Sequence, residues 1–342
     1  MVNLLTDTQF SWHYDAEGNV LTTPSETDQS ILGPHPISSL QSSVDSLSEY
    51  VFWHILEDEI EDARENFSPS NASTIYASSD TSLSYSFQGT TENEYLYSVG
   101  QSFTGSLGSG SDFLYAISVG ENATNTDNRV NAGAGNDFIM AMSLSENVIK
   151  GDIGADMLIA YGAQNTLKGG KGNDALFASG TDDNSLSELF GGRGSDDLVS
   201  YGNGSAVLWG GKGSDTLLGM ADNNTLIGGD GTDHLIAAGA HNDLTGGQGS
   251  DTFVFTPTDD TSRMTYVRDF EVGIDTFAVS NDTNDHRYFG TVIHGHMFYP
   301  EFRGDDVVFQ TSSYGTIVFE NLTMDEQWAL VETASNFEFL GA

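Results

Sequence analysis

GGRGSDDLVSYGNGSAVLWGGKGSDTLLGMADNNTLIGGDGTDHLI, residues 191–236, holds one hexapeptide three times: GGRGSD at 191–196, GGKGSD at 210–215 and GGDGTD at 228–233. Outward from it the motif continues as GGKGND at 169–174, GDIGAD at 151–156 and AGAGND at 132–137, and on the other side as GGQGSD at 246–251. The closing aspartates, Asp137, Asp156, Asp174, Asp196, Asp215, Asp233 and Asp251, are spaced by 19, 18, 22, 19, 18 and 18 residues. Each is followed, two residues on, by a large apolar side chain: Ile139, Leu158, Leu176, Leu198, Leu217, Leu235 and Phe253. A fixed period with glycine turns predicts a solenoid in which each turn buries its apolar residues against its neighbours.

Glycine accepts positive φ, so backbone carbonyls can converge in a tight turn, and the aspartate adds a carboxylate where that turn ends. Such oxygen donors are hard ligands and suit Ca²⁺. The repeat resembles the RTX (repeats-in-toxin, haemolysin-type) calcium-binding motif GGxGxDxUx. That resemblance implies a right-handed parallel β-roll, here a β-solenoid of about 18 residues per turn, with ions held between turns by glycine carbonyls and the aspartate. Carried onto this chain, the metal residues are Gly133, Gly135, Asp137, Gly151, Gly154, Asp156, Gly170, Gly172, Asp174, Gly192, Gly194 and Asp196. Gly211, Gly213, Asp215, Gly229, Gly231, Asp233, Gly247, Gly249 and Asp251 complete the set.

Family members repeat every nine residues; here the strict hexapeptide recurs only about every eighteen. The intervening half-turn reads AYGAQN at 160–165, GMADNN at 219–224 and AAGAHN at 237–242, with asparagine in place of the closing aspartate. Asn128, Asn147, Asn165, Asn224 and Asn242 therefore predict a neutral amide ladder along the second edge, broken at Ser187 and Ala206. Seven stacked hexapeptides leave six gaps, so a single column of about six ions is expected, with one more if LGSGSD at 107–112 takes part.

Eleven basic and 50 acidic residues give a net charge of −39, which argues against nucleic acid as a partner and for multivalent cations. No cysteine is present, so disulfides and thiolate metal sites are excluded. Residues 1–15 carry no Lys or Arg before their apolar residues and lack a secretory n-region, and no apolar run is long enough to span a bilayer.

Four segments are expected. Residues 1–70 are irregular and then helical, with an amphipathic helix near 39–66 that either caps the roll or mediates assembly. Residues 71–131 hold degenerate leading turns, since NEYLYSV at 93–99 echoes SDFLYAI at 111–117. The calcium roll spans 132–255, and 256–342 forms a C-terminal β cap. That last region resembles the segment following the roll in serralysin-type proteins, which implies an uncleaved type I secretion signal within 324–342.

No HExxH helix, GxSxG elbow or cysteine nucleophile is present. His294 and His296, with His286 and Glu301 nearby, are weighed as a zinc site and read as surface residues. The combined expectation is a secreted, extracellular or cell-surface, non-enzymatic calcium-binding β-roll protein. Its role would be structural, in an extracellular matrix, surface layer or filament, with calcium ions and the type I secretion machinery as partners. Self-association or a cell-surface polysaccharide would be the further partner. The alternative is a secreted adhesin, carbohydrate-binding or effector module acting through the N-terminal region; an enzyme with an unrecognised site ranks third. Two apolar side chains per turn cannot offset the ordering of eighteen residues, so cation binding is expected to drive folding.

Overall fold

The computed structural model describes residues 74–78, 84–118, 126–256, 262–279, 299–311 and 314–335. The chain divides into two compact units, 1–75 and 76–342, and the roll belongs to the second. Successive strands alternate between two sheets, one of eleven strands ending at Thr276–Val279 and one of thirteen ending in Tyr299–Arg303. Together they make a β-solenoid of about nine turns with about 19 residues per turn.

One turn shows how side chains are sorted. Along Gln164–Lys171, in the thirteen-stranded sheet, Asn165, Leu167 and Gly169 face inward while Thr166 and Lys168 face out. Asp174 turns the corner, and in Ala175–Ser179, in the other sheet, Leu176 and Ala178 face inward. A strand's two-residue period makes this sorting automatic. Parallel pairing repeats it in register: Ile149, Leu167, Leu189, Leu208, Leu226 and Leu244 stack in one row. Leu158, Leu176, Leu198, Leu217, Leu235 and Phe253 stack in the facing row, and all twelve are fully buried. The outer face of the eleven-stranded sheet is apolar too, with Leu218, Ile236 and Val254 in a second, separate cluster.

The 22-residue spacing between Asp174 and Asp196 is absorbed outside the ladder. Ser185 Oγ accepts from Thr181 N–H and Asp182 N–H, and Asp182 Oδ1 accepts from Asn184 N–H, so the extra residues close on themselves. Pairing then resumes at Gln164↔Leu186. The leading turns belong to the same roll: Ser84–Gln88 pairs in parallel with Ser102–Ser109, and Glu94–Gly100 with Phe113–Ser118. Tyr95, Phe113 and Phe138 stack across these turns at 4.5 and 4.8 Å.

At the other end small inward residues give way to rings. Phe253, Phe255, Phe270, Phe277, Phe309 and Phe319 fill the last turn, beneath an antiparallel meander of Tyr299–Arg303, Asp306–Gln310 and Thr316–Phe319. Arg268 ties this end to the roll through ion pairs with Asp243 and Glu320. A helix, Met324–Ser335, follows, its start fixed by a capping box in which Glu326 accepts from Thr323 N–H and Oγ1–H. Among the described residues no helix is long and apolar enough to cross a membrane. The helix expected at 39–66 and His286, His294 and His296 lie outside the described residues. Glu301, weighed with those histidines, is exposed and paired with Arg303.

Candidate metal centre

The corner between the two sheets carries a file of ten carboxylates. Glu94, Asp112, Asp137, Asp156, Asp174, Asp196, Asp215, Asp233, Asp251 and Asp275 are linked one to the next: each backbone N–H donates to the side-chain Oδ1 one turn ahead. The nine distances run from 2.7 to 2.9 Å. From Asp112 to Asp251 every one of these aspartates is at most 2% exposed. One carboxylate oxygen is thereby used along the axis.

The second oxygen has no partner. Oδ2 of Asp112 and of each of the seven hexapeptide aspartates is buried without a hydrogen bond. Leaving a charged acceptor dry and unmatched costs far more than leaving a neutral one. In the six hexapeptides from Gly151 to Gly246 the space beside it is kept by the first glycine. A Cβ on Gly210 would lie 2.4 Å from Asp215 Oδ2 and 2.7 Å from the Gly228 carbonyl oxygen, and one on Gly191 2.5 Å from Asp196 Oδ2 and 2.7 Å from Gly210 O. Gly151 and Gly228 repeat the arrangement, bringing a carboxylate of one turn and a carbonyl of the next to the same vacated point. The second and fourth glycines do different work. Gly211 and Gly213 take φ of 112° and 129°, and a Cβ on Gly213 would sit 1.7 Å from Gly194 O. The clash at Gly213 leaves room for glycine only.

Burial pushes these carboxyls upward against the stabilising N–H bonds. Asp156 and Asp196 rise to about 7, and Asp137, Asp174, Asp215, Asp233 and Asp251 to about 6. Neighbouring carboxylates add to the rise for every one of these except Asp174. The column is built for positive charge that no described side chain supplies to the Oδ2 atoms. Among the described residues no three His, Asp or Glu side chains converge on one point. The donor set is instead one carboxylate per turn plus main-chain carbonyls, the chemistry of a hard divalent ion. The residues fit calcium.

The opposite edge is the neutral ladder expected. Asn128 Nδ2 donates to Asn147 Oδ1, Asn147 to Asn165, and Asn224 to Asn242, each at 2.9 Å. The second hydrogen of each of these amides reaches a carbonyl, Met142 O, Tyr161 O and Ala221 O, so the buried amides are satisfied without an ion. Ser187, expected as a break, continues the ladder by accepting from Asn165 at 3.3 Å, because its hydroxyl stands in register with the amides. Ala206 is the interruption.

All 21 residues named from the sequence fall on the carboxylate edge. Those beyond Gly151 belong to turns of one geometry, with one variation: Asp152 holds φ 74° where the other turns have glycine. Aspartate tolerates that conformation better than most side chains. The sequence reading passed over the first glycines, Gly169, Gly191, Gly210, Gly228 and Gly246, although they sit closest to the unpartnered oxygens. Their signal was present in the inward alternation Asn165, Leu167, Gly169. It also passed over FEVGID at 270–275, whose Asp275 extends the file by accepting from Asp251 N–H. In the turns that end at Asp112 and Asp137 the first position is Leu107 and Ala132, both fully buried, so side chains occupy the space that glycine vacates elsewhere.

No curated protein matches the chain. Residues 122–142, 146–184, 200–235 and 218–253 match the RTX calcium-binding nonapeptide repeat in four copies. The matched segments of the roll are therefore similar to RTX calcium-binding nonapeptide repeats, a family that binds Ca²⁺.

Proposed function

We propose that this is a secreted, non-catalytic protein whose roll folds when its aspartate column takes up calcium outside the cell, and that the folded roll serves as a structural element. The observation that carries the reading is the file of buried, unpartnered Oδ2 atoms, which at Gly151, Gly191, Gly210 and Gly228 lie beside a glycine-vacated space that also admits a carbonyl of the next turn. Bound calcium would supply the divalent charge that the stacked carboxylates require. The chain's part is to hold Asp137, Asp156, Asp174, Asp196, Asp215, Asp233 and Asp251 dry and in register, with the hexapeptide glycines aiming their carbonyls at them. Because such a site exists only when two turns are stacked, its binding free energy is folding free energy.

Five turns have glycine at the first position and a following hexapeptide carbonyl: those starting at Gly151, Gly169, Gly191, Gly210 and Gly228. The Ala132 methyl fills the sixth gap. About five ions in one column are therefore expected from calorimetry on the folded protein. Exhaustive chelation should abolish most of the β signal in circular dichroism and millimolar calcium should restore it. Unchanged spectra and melting after chelation would overturn the reading.

Export is supported by the capped helix Met324–Ser335, which lies where a type I signal is expected. Deleting 324–342 should retain the protein inside a cell with a matching exporter, whereas deleting 1–36 should not. Equal secretion of both would place the signal elsewhere.

A further inference from the structure

Five of the eleven basic residues crowd one face of a chain whose net charge is −39. Register sets Lys150, Lys168, Phe190 and Trp209 side by side in one outward row of the thirteen-stranded sheet. Lys171, Arg193 and Lys212 form a second row at the third hexapeptide position. Between the rows run Gly170, Gly192 and Gly211, which raise no side chain, so the basic row borders a shallow open groove of about 690 Å³. Lys171 and Arg193 are exposed and make no ion pair among the described residues; Lys212 pairs with Asp230, which, with Asp152, closes the groove at its ends. Phe190 and Trp209 stack at 4.8 Å, with the Lys168 ammonium 5.2 Å from the Phe190 ring centre. Trp209 is 37% exposed.

We propose that this groove binds a linear acidic polysaccharide lying along the roll axis. The cations do not converge on a point, as they would for a single phosphate; they recur at the strand spacing of about 4.8 Å along a line. That geometry suits a polymer carrying regularly repeated carboxylates or sulfates. Charge complementarity selects a polyanion, since Lys171 and Arg193 stand on an acidic protein with no ion-pair partner among the described residues. The adjacent aromatic pair selects a sugar over an acidic polypeptide: its exposed, electron-rich ring face offers a flat platform to the C–H face of a pyranose. A broad duplex would place most of its phosphates against the acidic surface beyond the strip. Both rows exist only when the turns are stacked, so binding requires the folded roll.

The test uses the full chain in calcium, with size-defined chondroitin sulfate, oligogalacturonate, neutral dextran and poly-glutamate as probes. Binding of both acidic glycans, absent for dextran and weakened by salt, is expected. Lys171→Gln/Arg193→Gln should weaken glycan binding about tenfold or more. Trp209→Ala should weaken it about fivefold while leaving any poly-glutamate binding unchanged. Circular dichroism and calcium stoichiometry of each variant are measured alongside, so that failure of this site is distinguishable from failure of the calcium roll. If only one acidic glycan binds, it identifies sulfate or carboxylate as the anion recognised. No binding to either glycan, undiminished binding by the variants with the roll intact, or tighter binding of poly-glutamate would each overturn the proposal.

Discussion

Gly210→Ala tests the metal column at a single atom. Gly210 lies outside the left-handed region of φ, so alanine meets no backbone strain there. Its methyl would stand 2.4 Å from Asp215 Oδ2 and 2.7 Å from Gly228 O, closing the space where the two oxygens converge. Ala132 shows that the roll can house such a methyl by a small local shift, since it is fully buried at the equivalent position. The expected loss is therefore one ion rather than the fold. A site lost at a calcium concentration a hundredfold above its dissociation constant costs about 2.7 kcal/mol. Replacing glycine returns ~0.5–1 kcal/mol through the unfolded chain. A net loss of ~2 kcal/mol should lower the melting temperature in calcium by about 4–8 °C. Calorimetric stoichiometry should fall by one, and Ala132→Gly should raise it by one. Gly213→Ala, three residues away, is the contrast: at φ 129° and 1.7 Å from Gly194 O it should prevent the turn from forming. If Gly210→Ala binds as many ions as the parent with unchanged affinity, the vacated space is not where the oxygens meet the metal.

Without calcium, pH should act in an unusual direction. The column carboxyls rise in the folded state to about 6 and 7, so the fold binds protons that the unfolded chain, titrating near 4, has released. That stabilisation is fully present below the unfolded value and lost as pH rises through 6 to 7; in chelator, β signal should grow as pH falls from 7.5 to 5, and a flat profile would contradict the burial of the column. On the other edge, Asn242→Ala removes donors to Gly239 O and Thr265 Oγ1 and the acceptor for Asn224. It should cost ~2–3 kcal/mol in chemical denaturation without changing the number of ions bound, whereas a lost ion would make the amide edge a metal edge.

Much of this protein can be read from one line of residues. The eighteen-residue period, the seven aspartates and the asparagines opposite them determine which side chains face inward, because a strand's period of two and a parallel register leave no freedom once the glycine turns are placed. Ser187 and FEVGID were misjudged or passed over for one reason: a serine and a degenerate turn acquire their roles only by stacking on a neighbour whose pattern is strict. The tertiary structure alone decided how each carboxylate divides its oxygens. Oδ1 accepts an N–H 18 to 25 residues away in sequence and Oδ2 is left beside a vacated space. It also decided that the first glycine matters for room while the second and fourth matter for φ, since a Cβ clash depends on what the next turn brings close. The basic and aromatic rows are invisible in sequence for the same reason. Lys168, Phe190 and Trp209 stand 22 and 19 residues apart, and the insertion before Leu186 breaks the count that would align them; hydrogen-bond register between strands makes them neighbours.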